Sequence, residues 1–207
     1  MLFRSIQLQG LQPGSVKDVA TQIAALEKQG AKKFLLDTRH CSTGAPEEGV
    51  ALANLFQDSG LITYTQGQKT GKQEFQAQSA KAATKLPLAV IVNRSTASGC
   101  EIAAASLLYA KRAQVEGERT YGDAAVRRAV TLNDGSAVML SVAKYYSPDG
   151  KSIQDNGVTP NILQADTLAS AADAALDDSL ADVLPDDTKK PTTDELLIRA
   201  LKALPQD

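Results

Sequence analysis

In 207 residues there is no tryptophan, one histidine, two cysteines and two methionines, and aromatic residues make up only 4%. A core must therefore be assembled from Leu, Val, Ile and Ala, and a disulfide scaffold is excluded. Charge of a single sign is also missing. Lys and Arg number 22 against 24 Asp and Glu, a net charge of −2, so the chain lacks the basic excess that marks a nucleic-acid binder. No stretch approaches the ~20 apolar residues of a membrane span. The opening Met1–Ile6 is too short and too polar for a signal peptide, so the chain either stays inside or begins after its targeting segment. What remains is ordinary globular usage, 43% hydrophobic and 22% charged. The length suits one domain with an appendage, able to bury roughly 70% of its unfolded surface.

The first 37 residues read strand, helix, strand. Phe3 to Gln9 alternates. Ser15 is a candidate N-cap with Asp18 three residues on, and Val16, Val19, Ile23 and Leu26 recur at helical spacing before Gly30 stops the helix. Phe34-Leu-Leu is a short continuous apolar run, as in a strand buried on both faces, which predicts a parallel pair joined by a crossover. Pro46 suits N1 of a second helix, with Glu47 and Glu48 facing its positive end. Leu61–Thr65 and Gln73–Ala77 read as a loose hairpin. Pro87–Asn93 is the strongest strand, and Glu101–Leu108 runs on as a helix of small residues. Val126–Leu132 and Ala137–Tyr145 flank Asn133-Asp-Gly-Ser, a hairpin signal. From Asp166 the chain turns acidic. Residues 166–192 read as an acidic linker or loose helix after a core at 1–165. A final helix at 193–207, capped by Thr193, carries an apolar stripe of Leu196, Leu197, Ala200, Leu201 and Leu204.

The chemistry points to the exit of the Pro87–Asn93 strand. A serine at a sharp strand-to-helix junction is exposed at a sheet edge, beside first-turn backbone N–H groups that lack helical partners. That arrangement suits a nucleophile next to an oxyanion hole, although Ser-Thr-Ala-Ser before a helix also reads as a plain cap. The run from Pro87 to Ala103, with Ser98 at its turn, resembles the nucleophile segment of the carboxyl-terminal processing (tail-specific) proteases. Leu35-Leu-Asp-Thr-Arg39 with Gly44 is similar to their oxyanion loop. Gly117–Gly122 resembles their Gly-Glu-Lys/Arg-Thr-Phe-Gly block, and Asp134–Ala137, Tyr145–Gln154 and Gly157–Pro160 their closing segment. The resemblance implies an α/β fold, a ClpP/crotonase-like ββα core. It implies no cofactor and no metal. Its expected partners are polypeptide C-terminal tails or unfolded protein, not nucleic acid, and its expected setting is an exported one, periplasmic or equivalent.

The resemblance carries a Ser–Lys dyad onto particular positions. Ser98 takes the nucleophile slot, and the backbone N–H groups of Gly99 and Gly44 take the oxyanion donors. The lysine is absent: Asp123 occupies the base position and Arg127 the position of the orienting glutamine. A carboxylate is a far weaker base toward a hydroxyl than a neutral amine, and Arg127 stays protonated. These changes predict a degenerate protease that binds peptide tails or acts as a scaffold. The alternative is an active serine-type endopeptidase using Ser98 with another base, for which the lone His40 is the candidate. Cys41 and Cys100 each depart from the family pattern in blocks that border one pocket. They form either a disulfide or two unrelated thiols. Ser42-Thr43 stands where the family has Pro-Gly. The resemblance implies a gating PDZ domain inserted before this core, and since Phe3 already begins the core, the expectation is either a chain cut from a longer one or a loss of that gate.

Overall fold

A computed structural model of the chain describes residues 3–165 and 194–204. Its elements are β1 (Phe3–Gln7), α1 (Ser15–Lys28), β2 (Lys33–Asp37), α2 (Pro46–Phe56), β3 (Leu61–Gln66), β4 (Gln73–Gln76), β5 (Leu88–Val92), α3 (Gly99–Tyr109), β6 (Gln114–Gly117), β7 (Ala125–Thr131), β8 (Ala137–Tyr146), β9 (Ile162–Leu163) and α4 (Glu195–Ala203). The expected α/β class is what forms.

Five strands in the order β1-β2-β5-β6-β9 make one sheet, and all its pairings are parallel. Helices cover both faces, which is why β2 and β5 read as unbroken apolar runs. Alternate side chains divide between two cores. Phe34, Leu36, Leu88, Val90 and Val92 join Val19 and Ile23 of α1, Leu52 and Phe56 of α2, and Ala103 and Leu107 of α3. Leu35, Ala89 and Ile91 point to the opposite face, where Leu196, Ala200 and Leu204 close over them.

The second sheet is antiparallel, in the order β4-β3-β8-β7. Helix α3 lies between the sheets, turning Ala103 and Leu107 to the first core and Ile102 and Ala105 to a third with Tyr145, Ile153 and Val158. A helix apolar on every side is buried on every side, and residues 99–107 are all buried.

Several local expectations are corrected. Ser15 is the first helical residue and not the cap: Gly14 (φ 95°) precedes α1, and Glu48 of α2 accepts from the N–H groups of Gly14 (3.0 Å) and Val16 (3.1 Å). The carboxylate thereby pins the two helices together. At α4 the cap is Asp194, which accepts from Leu197 N–H at 3.0 Å. Asp194 also binds Arg39 (2.6 Å), and Arg39 binds Asp37 at the end of β2 (2.7 Å). Burial opposes the Arg39 charge, and the two carboxylates more than offset it, so its pKa is raised. β6 and β9 carry too few apolar residues to be read from pattern. Residues 166–192 and Thr193 lie outside the described residues.

Candidate active site

Both relevant loops leave the same end of the parallel sheet, one after β2 and the other after β5. They are laced together. Thr96 Oγ1 accepts from Asn93 N–H (3.1 Å) and donates to Thr38 O (2.9 Å). Ala97 N–H donates to Cys41 O (2.9 Å). A disulfide joins Cys41 to Cys100, with Cα atoms 6.2 Å apart and a sequence separation of 59. Of the two readings of these cysteines, the pairing is the one realised. It fastens the first turn of α3 to the loop beneath it and removes Cys100 as a thiol nucleophile.

Ser98 occupies the turn into α3 with φ 57° and ψ −126°. Positive φ is uncommon for a non-glycine residue and stores about 1–3 kcal/mol of strain. Its N–H donates to Glu101 Oε2 at 3.1 Å and its Oγ donates to Gly44 O at 2.8 Å. Gly44 has φ 144°, and a Cβ there would lie 2.5 Å from Leu11 O, so only glycine fits. Leu11 bonds the backbone on either side, donating to Thr43 O and accepting from Ala45 N–H. What Gly44 turns toward the Ser98 hydroxyl is a carbonyl oxygen, an acceptor. An oxyanion there would need a donor. Gly99 is the closest approach of α3 to α2: a Cβ on Gly49 would lie 2.1 Å from Gly99 O, and one on Gly99 2.7 Å from Ala45 O. This packing explains glycine at position 99.

Glu101, fully buried, organises the rest. Its carboxylate accepts from Ser98 N–H, Thr120 Oγ1, Gly122 N–H (2.7 Å) and Asp123 N–H (2.8 Å). Ser98 and Asp123 thus hang from the same oxygen, Oε2, which sets the Asp123 loop beside the serine turn. Burial pushes the Glu101 pKa up against the pull of its four donors. Sequence reasoning gave Glu101 no role. The available signal was one carboxylate in an otherwise uncharged eleven-residue helix. Thr120, inside a quoted block, was missed similarly.

Asp123 is half-buried and its carboxylate binds the Arg127 guanidinium. The structure therefore brings Ser98, Gly99, Gly44, Asp123 and Arg127 to one place. His40 is exposed, and no hydrogen bond joins it to Ser98. An open groove of about 500 Å³ lies against the site, lined by Ser42, Arg94, Ser95, Ala97, Tyr121 and Asp123. A larger cleft of about 610 Å³, with Glu27, Lys32 and Pro87 on its walls, lies before β5, at the end of that strand remote from Ser98.

The sequence profile of Peptidase family S41 matches residues 5–164. The chain belongs to that family. Among its relatives, the carboxyl-terminal-processing protease of Synechocystis sp. is 34% identical over 168 residues, covering 81% of this chain and 39% of the relative. The carboxy-terminal processing protease CtpA of Bacillus subtilis is 36% identical over 158 residues, covering 76% and 34%. The solved photosystem II D1 C-terminal processing protease superposes with a TM-score of 0.72 at 30% identity, covering 79% of this chain and 42% of that one. The chain thus spans less than half the length of these relatives. Its S41 match takes in both loops, the serine turn and the Asp123–Arg127 pair.

Proposed function

We propose that this chain is a degenerate S41 core that holds polypeptide tails without cutting them. The observation that carries the reading is the Asp123–Arg127 ion pair at the base position, hung from Glu101 beside Ser98. A carboxylate is a far weaker base toward a serine hydroxyl than a neutral amine, and the arginine stays protonated. The hydroxyl is instead committed to the Gly44 carbonyl. Loss of a general base removes roughly 10²–10⁴ in rate. In this reading the core is of the ClpP/crotonase-like kind, and the groove over Ser42, Ala97 and Tyr121 takes an extended C-terminal segment. The disulfide supports an oxidising, exported setting.

The observation that favours catalysis is the strained backbone of Ser98, retained at the junction. A fluorophosphonate probe read by intact mass separates the two readings. The expected result is no labelling of the parent or of Ser98→Ala, and labelling at least about 10²-fold faster in the double variant Asp123→Lys, Arg127→Gln, which rebuilds the dyad. Labelling of the parent that disappears in Ser98→Ala would overturn the degenerate reading and direct attention to His40.

A further inference from the structure

β7 is the last strand of its sheet, and its outer edge has no partner strand among the described residues. It begins at Ala125, two residues beyond Asp123, which lines the groove. Its seven residues run about 20 Å from that point. At the closing end of the hairpin, Leu132 N–H donates to Ser136 O at 2.7 Å. Antiparallel pairs alternate between bonded and non-bonded, so Val130 and Arg128 bond across to Val138 and Leu140, their register partners. Ala129 and Thr131 consequently turn their N–H and C=O groups outward.

The side chains of this ribbon are equally unpartnered. Arg128, Val130 and Leu132 share a face with Val138 and Leu140, and the four aliphatic residues are 42–46% exposed. Natural edges of this length are blunted by proline, a bulge or dense charge. No proline occurs from 125 to 146, and the one bulge, at Val126/Arg127, lies at the groove end. The charge is one-sided. Arg127 is held by Asp123 and Lys144 by Asp155, while Arg128 is exposed with no ion pair among the described residues. The single acid of the ribbon, Asp134, is turned into its loop by Ser136.

We propose that the outer edge of β7 docks an extended polypeptide by strand addition, as a continuation of the Ser98 groove, and selects a segment with aliphatic side chains at alternate positions and an acidic one in phase with them. Main-chain bonds at Ala129 and Thr131 supply affinity, Val130 and Leu132 take alternate aliphatic side chains, and Arg128, on the same face, takes an acid two positions further along. The proposal rests on reading the groove as a polypeptide-holding site.

The test is fluorescence anisotropy with the full chain and a labelled peptide containing Val-Thr-Val-Thr-Glu, in which the glutamate shares a face with the valines. Ala129→Pro removes one outward N–H and leaves the β8 ladder intact, so binding should weaken about tenfold, whereas Ala129→Val should retain it. Arg128→Glu should weaken the glutamate peptide and strengthen one carrying lysine instead. N-methylating alternate amides of the peptide should abolish binding with the protein unchanged, which keeps the test open if Ala129→Pro misfolds. Unaltered binding by Ala129→Pro together with the N-methylated peptide, or no binding to the parent, overturns the proposal. Ser42→Trp fills the groove: loss there with Ala129→Pro unaffected sinks the edge and leaves the groove reading standing. Loss with Ala129→Pro alone keeps the edge and sinks the groove reading. Self-association in sedimentation that Ala129→Pro removes would assign the edge to a second copy and overturn the client.

Discussion

The two sheets were built from similar residues and put to opposite use. β2 and β5 are buried along their whole length, whereas β7 from Arg127 on and the first half of β8 are exposed on both faces. The difference follows from covering elements. The parallel sheet is connected through helices that close over both of its faces. The far half of the β7–β8 ribbon packs only on itself, and such a ribbon adds little to the stability of the whole. Rigidity is therefore concentrated where Ser98 and its loops leave the parallel sheet, and recognition surface where the ribbon projects.

The comparison can be pressed hardest at its buried side. Leu36→Ala, in the middle of β2, should cost about 2–5 kcal/mol in urea unfolding. Cys41→Ala with Cys100→Ala should cost about 2–4 kcal/mol, since the crosslink closes a loop of 59 residues, and should disturb the serine turn more than the ribbon in hydrogen exchange. Glu101→Gln retains one acceptor oxygen for four donors and should cost about 1–3 kcal/mol.

The same variant sharpens the pH profile. The folded Glu101 pKa is raised above its ordinary 4.5 by burial, so between those two values the folded state holds more protons than the unfolded. Stability then falls as pH rises through that window. Glu116, also raised by burial, contributes with the same sign in both proteins. The parent should lose more stability than Glu101→Gln as pH is raised from about 4.5, and equal slopes would refute the assignment. On the ribbon, Leu140→Ser should change stability within about ±0.5 kcal/mol, because the side chain is already 46% exposed. A cost like that of Leu36→Ala would mean the ribbon is covered.

Elements whose signal is local were legible. The continuous apolar runs of β2 and β5, the proline-started α2, the stop at Gly30 (φ 87°) and the Asn133–Ser136 hairpin all formed as read. β6 was not legible. Its Gln-Val-Glu-Gly shows no period, and Glu116 is buried because Arg199 of α4 reaches it from far along the chain, at 3.3 Å. The caps of α1 and α4 were misassigned because distant or neighbouring carboxylates, Glu48 and Asp194, did what a local serine or threonine was expected to do.

Residue order alone determined the aliphatic strands and the serine at a strand-to-helix turn, since these are matters of composition, period and spacing; the expectation that Asp123 and Arg127 stand at the positions of a lysine and a glutamine came only from the family resemblance. Tertiary structure decided that Cys41 meets Cys100, that Glu101 holds Ser98 and Asp123 on one oxygen, that Gly44 shows the serine its carbonyl, and that His40 is exposed. Each depends on the direction of a group relative to a residue distant in sequence. Burial and hydrogen-bond satisfaction select that direction only once the sheets and α3 have packed.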